Sequence, residues 1–397
     1  MTLNETILAK VEELYPYMVE KRRYFHVNPE VSGEEIETSR LLKEEMERFG
    51  LPVIPVSGTG FIAVFDTGKP GKTLVLRADI DALPMDEGPD NLKGPKNCVS
   101  SRSGAFHGCG HDGHMAMQLA VIQVLMSLKD QLSGKILFAF EEGEEKGLGI
   151  HQMVAELRKH QPDAVYGTHL TSFMPTGTVC VDAGPRMAGS AVMDFVVTGK
   201  SGHASRPDQS VNPIFAVAQM VNAYPSAWVN QLDVTKTVTL AVTKVVGGTA
   251  SNIIPESVEV GGTCRFFDLE EGTKALGVIT KISDAIAGIN NCTIKYGPRH
   301  KVNGGPVIND AKLSEIARAG VDSILPGALV SGHEWFASEP FRFYQDYFQS
   351  LFAFVGMGNA ELGSGAEHHN IRFDLDEEAL KVGVTAAAKF ATEFLNA

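Results

Sequence analysis

The stretch HGCGHDGHMAMQLAVIQVLMSLKDQLSGKILFAFEEGEE, residues 107–145, decides the fold. It begins in a glycine-rich loop, passes into a helical segment from Gly113 to about Leu128, continues as a strand from Lys135 to Phe140, and ends in the acidic cluster Glu141-Glu142-Gly143-Glu144-Glu145. Strand and helix alternate, as in an α/β layer. Upstream, Ile7, Val11, Leu14 and Met18 share one helical face, and Pro16 among them predicts a kink or a break. The β-rich runs Phe61 to Phe65 and Thr73 to Arg77, joined by the turn-rich residues 66–72, predict a hairpin. Gly71-Lys72-Thr73 imitates the end of a phosphate loop, but the first glycine would fall at Asp66 and a strand follows where a helix is required, which excludes nucleotide binding.

Downstream of about Ala191 the pattern changes to strand (192–198), helix (213–224), strand (236–245), strand (257–266), helix and strand (292–296). Leu276, Ile279, Ile282 and Ile286 line one face of the second helix. This β-α-β-β-α-β order is the split βαβ pattern, a small sheet with two helices on one side. We expect residues 187–304 to form an inserted α+β domain and residues 1–186 and 305–397 a discontinuous α/β host. The host closes with a helix on which Leu380, Val384, Ala387, Ala391 and Phe394 recur at helical spacing. A small-molecule site is expected in the cleft between host and insert.

The 397 residues carry 35 Lys plus Arg against 48 Asp plus Glu, a formal charge of −13. Such a chain offers no long-range attraction to phosphate backbones or anionic lipid, so neither nucleic acid nor membrane is expected as a partner. Residues 115–128, the most apolar stretch, are interrupted by Gln118 and Gln123 and fall short of the ~20 residues a bilayer crossing needs. The start has no basic-then-apolar segment, and five scattered cysteines are an odd number; both point to a reducing cytoplasm.

Chemistry concentrates in four places. In His107-Gly108-Cys109-Gly110-His111-Asp112-Gly113-His114, glycines let the backbone fold tightly so that imidazoles, thiol and carboxylate can converge on a metal. Glu141-Glu142 ends an apolar strand, where one carboxylate can bind a metal while its neighbour serves as general base. His169 follows the short apolar run 164–166, and His368-His369 precedes the last helix. Cys109, His111, Glu142, His169 and one of His368 or His369 form a mixed donor set, unlike closed structural zinc cages, and five ligands suit two ions rather than one. The rival readings are a nucleophilic Cys109 paired with a histidine and a metal that only stabilises the fold. A spare carboxylate beside the ligands speaks against the second.

The runs Leu76-Arg77-Ala78-Asp79-Ile80-Asp81-Ala82-Leu83-Pro84, His107 to His114, Glu141-Glu142-Gly143, Gly167-Thr168-His169-Leu170, Gly199-Lys200-Ser201-Gly202-His203-Ala204, residues 247–255 and residues 369–380, together with Tyr24 to Glu30, resemble in order the amidohydrolase branch of the dinuclear-metal aminoacylase and carboxypeptidase family. That branch includes hippurate hydrolases, N-acetyl-diaminopimelate deacetylases and indole-acetyl-amino-acid hydrolases. The resemblance implies a zinc-peptidase-like catalytic domain, with a mixed sheet between helices, and a ferredoxin-like lid that often carries a homodimer contact. It implies two divalent ions (Zn or Mn, with Co or Ni possible) held by Cys109, His111, Glu142, His169 and His369. Glu141 would be the general base in the hydrolysis of N-acyl amino acids or related small amides, the alternative being a dipeptidase or carboxypeptidase using the same site. By the same resemblance His203, Asn252 and Arg265 of the lid would hold substrate, and Asp81 and Asp112 would orient ligands. Two departures stand out. Phe138-Ala139-Phe140 replaces the Gln-Pro-Ala usual before the paired glutamates, and Ser338-Glu339-Pro340-Phe341 has proline where aspartate is usual. Gly332-His333-Glu334-Trp335 is also unusual.

Overall fold

The computed structural model describes residues 1–397. They divide into two compact units: Met1–Gly184 with Ile308–His333 and Phe343–Ala397, and Pro185–Val307 with Glu334–Arg342. Residues 334–342 were expected in the host but join the second unit. Trp335 N donates to Arg186 O at 2.8 Å and Ala188 N donates to Trp335 O at 3.0 Å, pairings across a long sequence gap that no local pattern signals.

The first unit opens with helices α1 (Leu3–Val27) and α2 (Ile36–Arg48) and strands β1 (Val53–Pro55), β2 (Phe61–Asp66) and β3 (Thr73–Asp79). Helix α3 (His111–Ser127), strand β4 (Lys135–Glu141), helix α4 (Ile150–His160) and strands β5 (Ala164–Pro175) and β6 (Val179–Cys180) follow. After β7 (Gly184–Met187), the second unit contributes β8 (Gly189–Thr198), β9 (Gly202–His203), α5 (Pro213–Gln231), β10 (Val238–Val246) and β11 (Ile253–Ile254). It continues with β12 (Ser257–Phe266), α6 (Leu269–Ile289), β13 (Thr293–Tyr296) and β14 (Lys301–Gly304). The chain returns through β15 (Val307–Asn309) to α7 (Ala311–Ile324), β16 (Ser350–Gly358) and α8 (Glu378–Asn396).

The first unit is built on a mixed sheet ordered β1-β2-β4-β3-β5-β16-β6. The expected hairpin does not form, because β4 lies between β2 and β3, antiparallel to the first and parallel to the second. Strand β3 is buried along nearly its whole length, so it needs a neighbour on each side, and a two-stranded ribbon could not supply that burial. Helix α1 is likewise continuous through Pro16. Its apolar face (Ile7, Val11, Leu14, Met18, Phe25) packs into the same core as α3 and α8, and that burial outweighs the hydrogen bond the proline forgoes.

Leu76, Phe138, Phe140 and Tyr166 point from the sheet to this helix-covered core. By strand alternation Arg77, Asp79, Glu141 and His169 point to the opposite face, with Asp79 opposite Glu141 in register. Asp79 and Glu141 end β3 and β4, and His169 lies midway along β5, two residues past the Arg77–Gly167 pair.

In the second unit β10-β12-β8-β13 form an antiparallel sheet, with β14 also on β8. Ala191, Met193, Phe195 and Val197 alternate inward along β8 and join residues of α5 and α6 in one core. This is the β-α-β-β-α-β unit read from the sequence.

Helix α1 carries a buried cation into the first unit. The Arg22 Nε lies 2.8 Å from Asp112 Oδ2, and Asp374 and Glu377 lie within 3.6 Å of its other nitrogens. Arg22→Leu strands the buried Asp112 carboxylate, and a loss of about 3–5 kcal/mol is expected, read as a lowered urea midpoint. A change under about 1 kcal/mol would show that the pair does not hold α1 to α3.

Candidate metal centre

Gly110 adopts φ +87° at the N-terminus of α3, a left-handed conformation that glycine tolerates, and so turns Cys109 and His111 toward the strand ends. His111 Nδ1 donates to Asp81 O at 2.9 Å, which leaves the lone pair on Nε2. That nitrogen is buried and has no hydrogen-bond partner; it faces Glu144 Oε2 and Glu145 Oε1, each at 3.9 Å, and Asp79 Oδ2 at 3.7 Å. Glu145 Oε1 is also buried without a hydrogen bond, and His369 Nε2 lies 3.4 Å from it. His169 Nδ1 donates to Leu170 O at 2.7 Å, so its lone pair is on Nε2, which lies 3.7 Å from Cys109 Sγ.

Two donor triads emerge, Cys109-His111-His169 and Cys109-Glu145-His369, with the atoms of each within 4.8 Å of one another and Cys109 common to both. His111, Glu144 and Glu145 form a third such group. A further group, Asp79-His111-His114, is not a complete donor set. His114 Nδ1 donates to Asp79 Oδ1 at 2.6 Å and its Nε2 accepts from Leu170 N at 3.0 Å, so both ring nitrogens are used.

The electrostatics fit cations. Burial pulls His111 down, but Asp79, Asp81 and Glu145 overcome it and hold the imidazole up at about 10; a proton there occupies the place the field prepares for a positive ion. Burial, then Glu145, Glu144 and Asp79, push the Cys109 thiol well above its ordinary value, which makes it a poor nucleophile on its own and a ligand once a cation offsets that field. Orphaned lone pairs, a thiol and a carboxylate with nitrogen donors therefore form a set that suits two divalent ions.

The expected carboxylates are not the ones brought here. Glu141, placed in the sequence as general base, is the last residue of β4 and points to the sheet face, where Arg77 Nε donates to it at 3.0 Å and Tyr344 Oη at 2.5 Å. Glu142, placed as a metal ligand, points the other way and accepts from Ser57 Oγ at 2.8 Å, from Gly60 N at 3.2 Å and from Thr59 N. Gly143 (φ +60°) then reverses the chain into a short 3-10 turn, which delivers Glu144 and Glu145 to His111. The sequence held a signal for this shift: a second pair, Glu144-Glu145, follows Glu141-Glu142 after a single glycine.

The other expected residues are placed as follows. Cys109, His111, His169 and His369 meet in the cluster. His368 does not: its Nε2 donates to Leu170 O at 2.9 Å, and its Nδ1 lies 3.4 Å from Ser172 Oγ. Asp81 Oδ2 accepts from Ser32 Oγ at 2.6 Å and Glu145 N at 3.1 Å, so it orients both His111 and the turn bearing Glu145. Asp112 orients no cluster ring and instead pairs with Arg22 and with His26 Nδ1 at 2.8 Å. His203, Asn252 and Arg265 belong to the second unit; Arg265 Nη1 is engaged by Thr263 Oγ1 and by Cys264 O at 3.1 Å. Asp79, His114, Glu144 and Glu145 are the residues the sequence reading missed.

Residues 75–393 match the family model described as Peptidase family M20/M25/M40. The chain is 33% identical over 402 residues, 100% of each chain, to thermostable carboxypeptidase 2 of Saccharolobus solfataricus. It is 32% identical over 393 residues to IAA-amino acid hydrolase ILR1-like 2 of Arabidopsis thaliana, covering 98% of this chain and 87% of the relative. The solved structure of a Bacillus subtilis protein, described as a dinuclear metal binding peptidase from the M20 family, superposes with a TM-score of 0.83 at 26% identity, covering 97% and 99% of the two chains. No helix of the chain is long and apolar enough to cross a membrane.

Glu145→Gln is expected to lower bound metal to about one ion or fewer per chain by elemental analysis. Glu142→Gln, by contrast, keeps the metal and loses about 1–3 kcal/mol of stability, as its loop donors lose a charged acceptor. The reverse pattern would return the ligand assignment to Glu142.

Proposed function

The chain belongs to Peptidase family M20/M25/M40, and from that membership we propose that it cleaves the amide bond of N-acyl amino acids or related small amides, with Glu144 as the general base. The observation that carries this reading is Glu144 itself. It is buried, its Oε2 lies 3.9 Å from the open lone pair of His111, and it belongs to neither of the two triads sharing Cys109. Cys109, His111 and His169 would hold one divalent ion, and Cys109, Glu145 and His369 the other. When bound, the pair supplies Lewis acidity, acidifying a water and polarising the scissile carbonyl.

Glu144 takes the proton of the attacking water and returns it to the departing amine, so one carboxylate serves both halves of the reaction. Asp81 keeps Glu145 and His111 in place while charge shifts among them. Asp79 fixes His114, whose Nε2 accepts from Leu170 N; Leu170 O in turn holds His169. From the lid, His203 would donate to the developing oxyanion, and Asn252 and Arg265 would hold the substrate carboxylate. Zinc or manganese is the proposed metal, since one thiolate among nitrogen and oxygen donors suits either. Five free cysteines agree with residence in the cytoplasm. The full-length similarity to a carboxypeptidase favours one second reading, the same chemistry on small peptides.

The deciding experiment is a hydrolysis screen of N-acetyl, N-benzoyl and dipeptide substrates with the metal-reconstituted protein. Glu144→Gln should keep both metals and lower kcat by about 100- to 10,000-fold, while Glu141→Gln stays within about tenfold of wild type. Retention of activity by Glu144→Gln would exclude it as the base.

The second unit would also pair two chains. Strand β10 is an edge of its sheet, with Val245 and Val246 exposed, and an apolar cleft of about 420 Å³ beside it is lined by Tyr224, Pro225, Trp228, Val238 and Leu240. Sedimentation at twice the chain mass is expected, with Val246→Lys shifting the protein toward monomer. Wild type sedimenting at the mass of one chain would remove this assignment.

A further inference from the structure

The loop around His203 fixes more than the position of its ring. Its base is closed by Lys200 and Val211, which exchange backbone hydrogen bonds of 2.9 and 3.0 Å. Inside it, β9 pairs with β11 through His203 and Ile253, Ala204 N donates to Asn252 O at 3.0 Å, and Arg206 N donates to His203 O at 3.0 Å. The imidazole stands exposed on this braced loop.

One neighbour decides where its proton sits. Ser205 N donates to His203 Nδ1 at 3.2 Å, and Ser205 Oγ lies 2.7 Å from the same nitrogen. A backbone N–H can donate but never accept, so Nδ1 carries the lone pair in this geometry. The hydroxyl, facing a nitrogen without hydrogen, must donate as well. The neutral ring then holds its proton on Nε2, the nitrogen that Ser205 does not engage.

We propose that Ser205 is a positioning residue that holds His203 in the Nε2–H tautomer, so that the lid imidazole presents a hydrogen-bond donor and not a proton acceptor to the reacting amide. The proposal rests on the reading above that His203 attends the substrate. It divides the work cleanly: the proton of the attacking water goes to Glu144, and His203 gains and loses none, contributing a neutral donor to the oxyanion. The alternative tautomer would aim a lone pair at that oxygen and repel it.

Two measurements on the full-length, metal-loaded enzyme test this. Long-range proton–nitrogen correlation on ¹⁵N-histidine-labelled protein, with His203 assigned by its loss in His203→Ala, should show a protonated Nε2 and a bare Nδ1. Ser205→Ala should admit a fraction of the other tautomer and lower kcat by about 2- to 10-fold with KM within about twofold, as expected for one lost hydrogen bond acting through the ring. Ser205→Thr, which keeps the hydroxyl, should restore both readouts. His203→Ala should cost about 100-fold in kcat. A proton on Nδ1 in the wild type, or a Ser205→Ala variant with unchanged tautomer and kcat beside an impaired His203→Ala, overturns the role of Ser205 alone. An unimpaired His203→Ala overturns the lid reading as well.

Discussion

Asp79, Asp81, Glu144 and Glu145 crowd around the single imidazole of His111, with little water to screen them. Carboxylates so close repel one another unless positive charge sits among them, and burial removes the solvent that would otherwise spread that charge. Much of the first unit can be understood as the scaffold that holds this field in place. The open lone pair of His111 Nε2 and the unsatisfied oxygen of Glu145 are the points where a cation would relieve it.

Two sets of buried contacts brace the cluster without entering it. On the sheet face, Tyr344 and Arg77 fasten Glu141, and Arg77 Nη1 reaches on to Asp79 Oδ2 at 2.7 Å, beside His111. Behind α3, Arg22 and His26 fasten Asp112, the residue after His111. His26 sits between Asp112 and Glu87, and although burial and Arg22 oppose its charge, those two carboxylates raise it. Glu87 is also bound by Lys96 Nζ, which donates to Ile371 O at 3.0 Å, two residues past His369. The chain thus reaches its metal-facing side chains through paired charges, each of which would be costly if left single.

The second unit follows a simpler logic. One sheet face is covered by α5 and α6, while edge strand β10 pairs with β12 on one side only. An open edge beside an apolar cleft invites association. The same unit carries His203 on a loop braced at its base by the Lys200–Val211 backbone pair.

The sequence by itself determined the α/β host, the inserted β-α-β-β-α-β unit and most of the donor types, because hydrophobic periodicity and glycine spacing are local properties. Cys109 and His111 could be read from one loop. What it could not determine was which of two neighbouring Glu-Glu pairs faces that loop. Strand β4 extends one residue beyond Phe140, so register with β3 places Glu141 beside Asp79 on one face and sends Glu142 to the other. The left-handed turn at Gly143 then presents the next pair. For the same reason tertiary structure alone placed β4 between β2 and β3 and carried α1 straight through Pro16. Each outcome depends on partners distant in the chain, whose packing and hydrogen bonds outweigh the local preference.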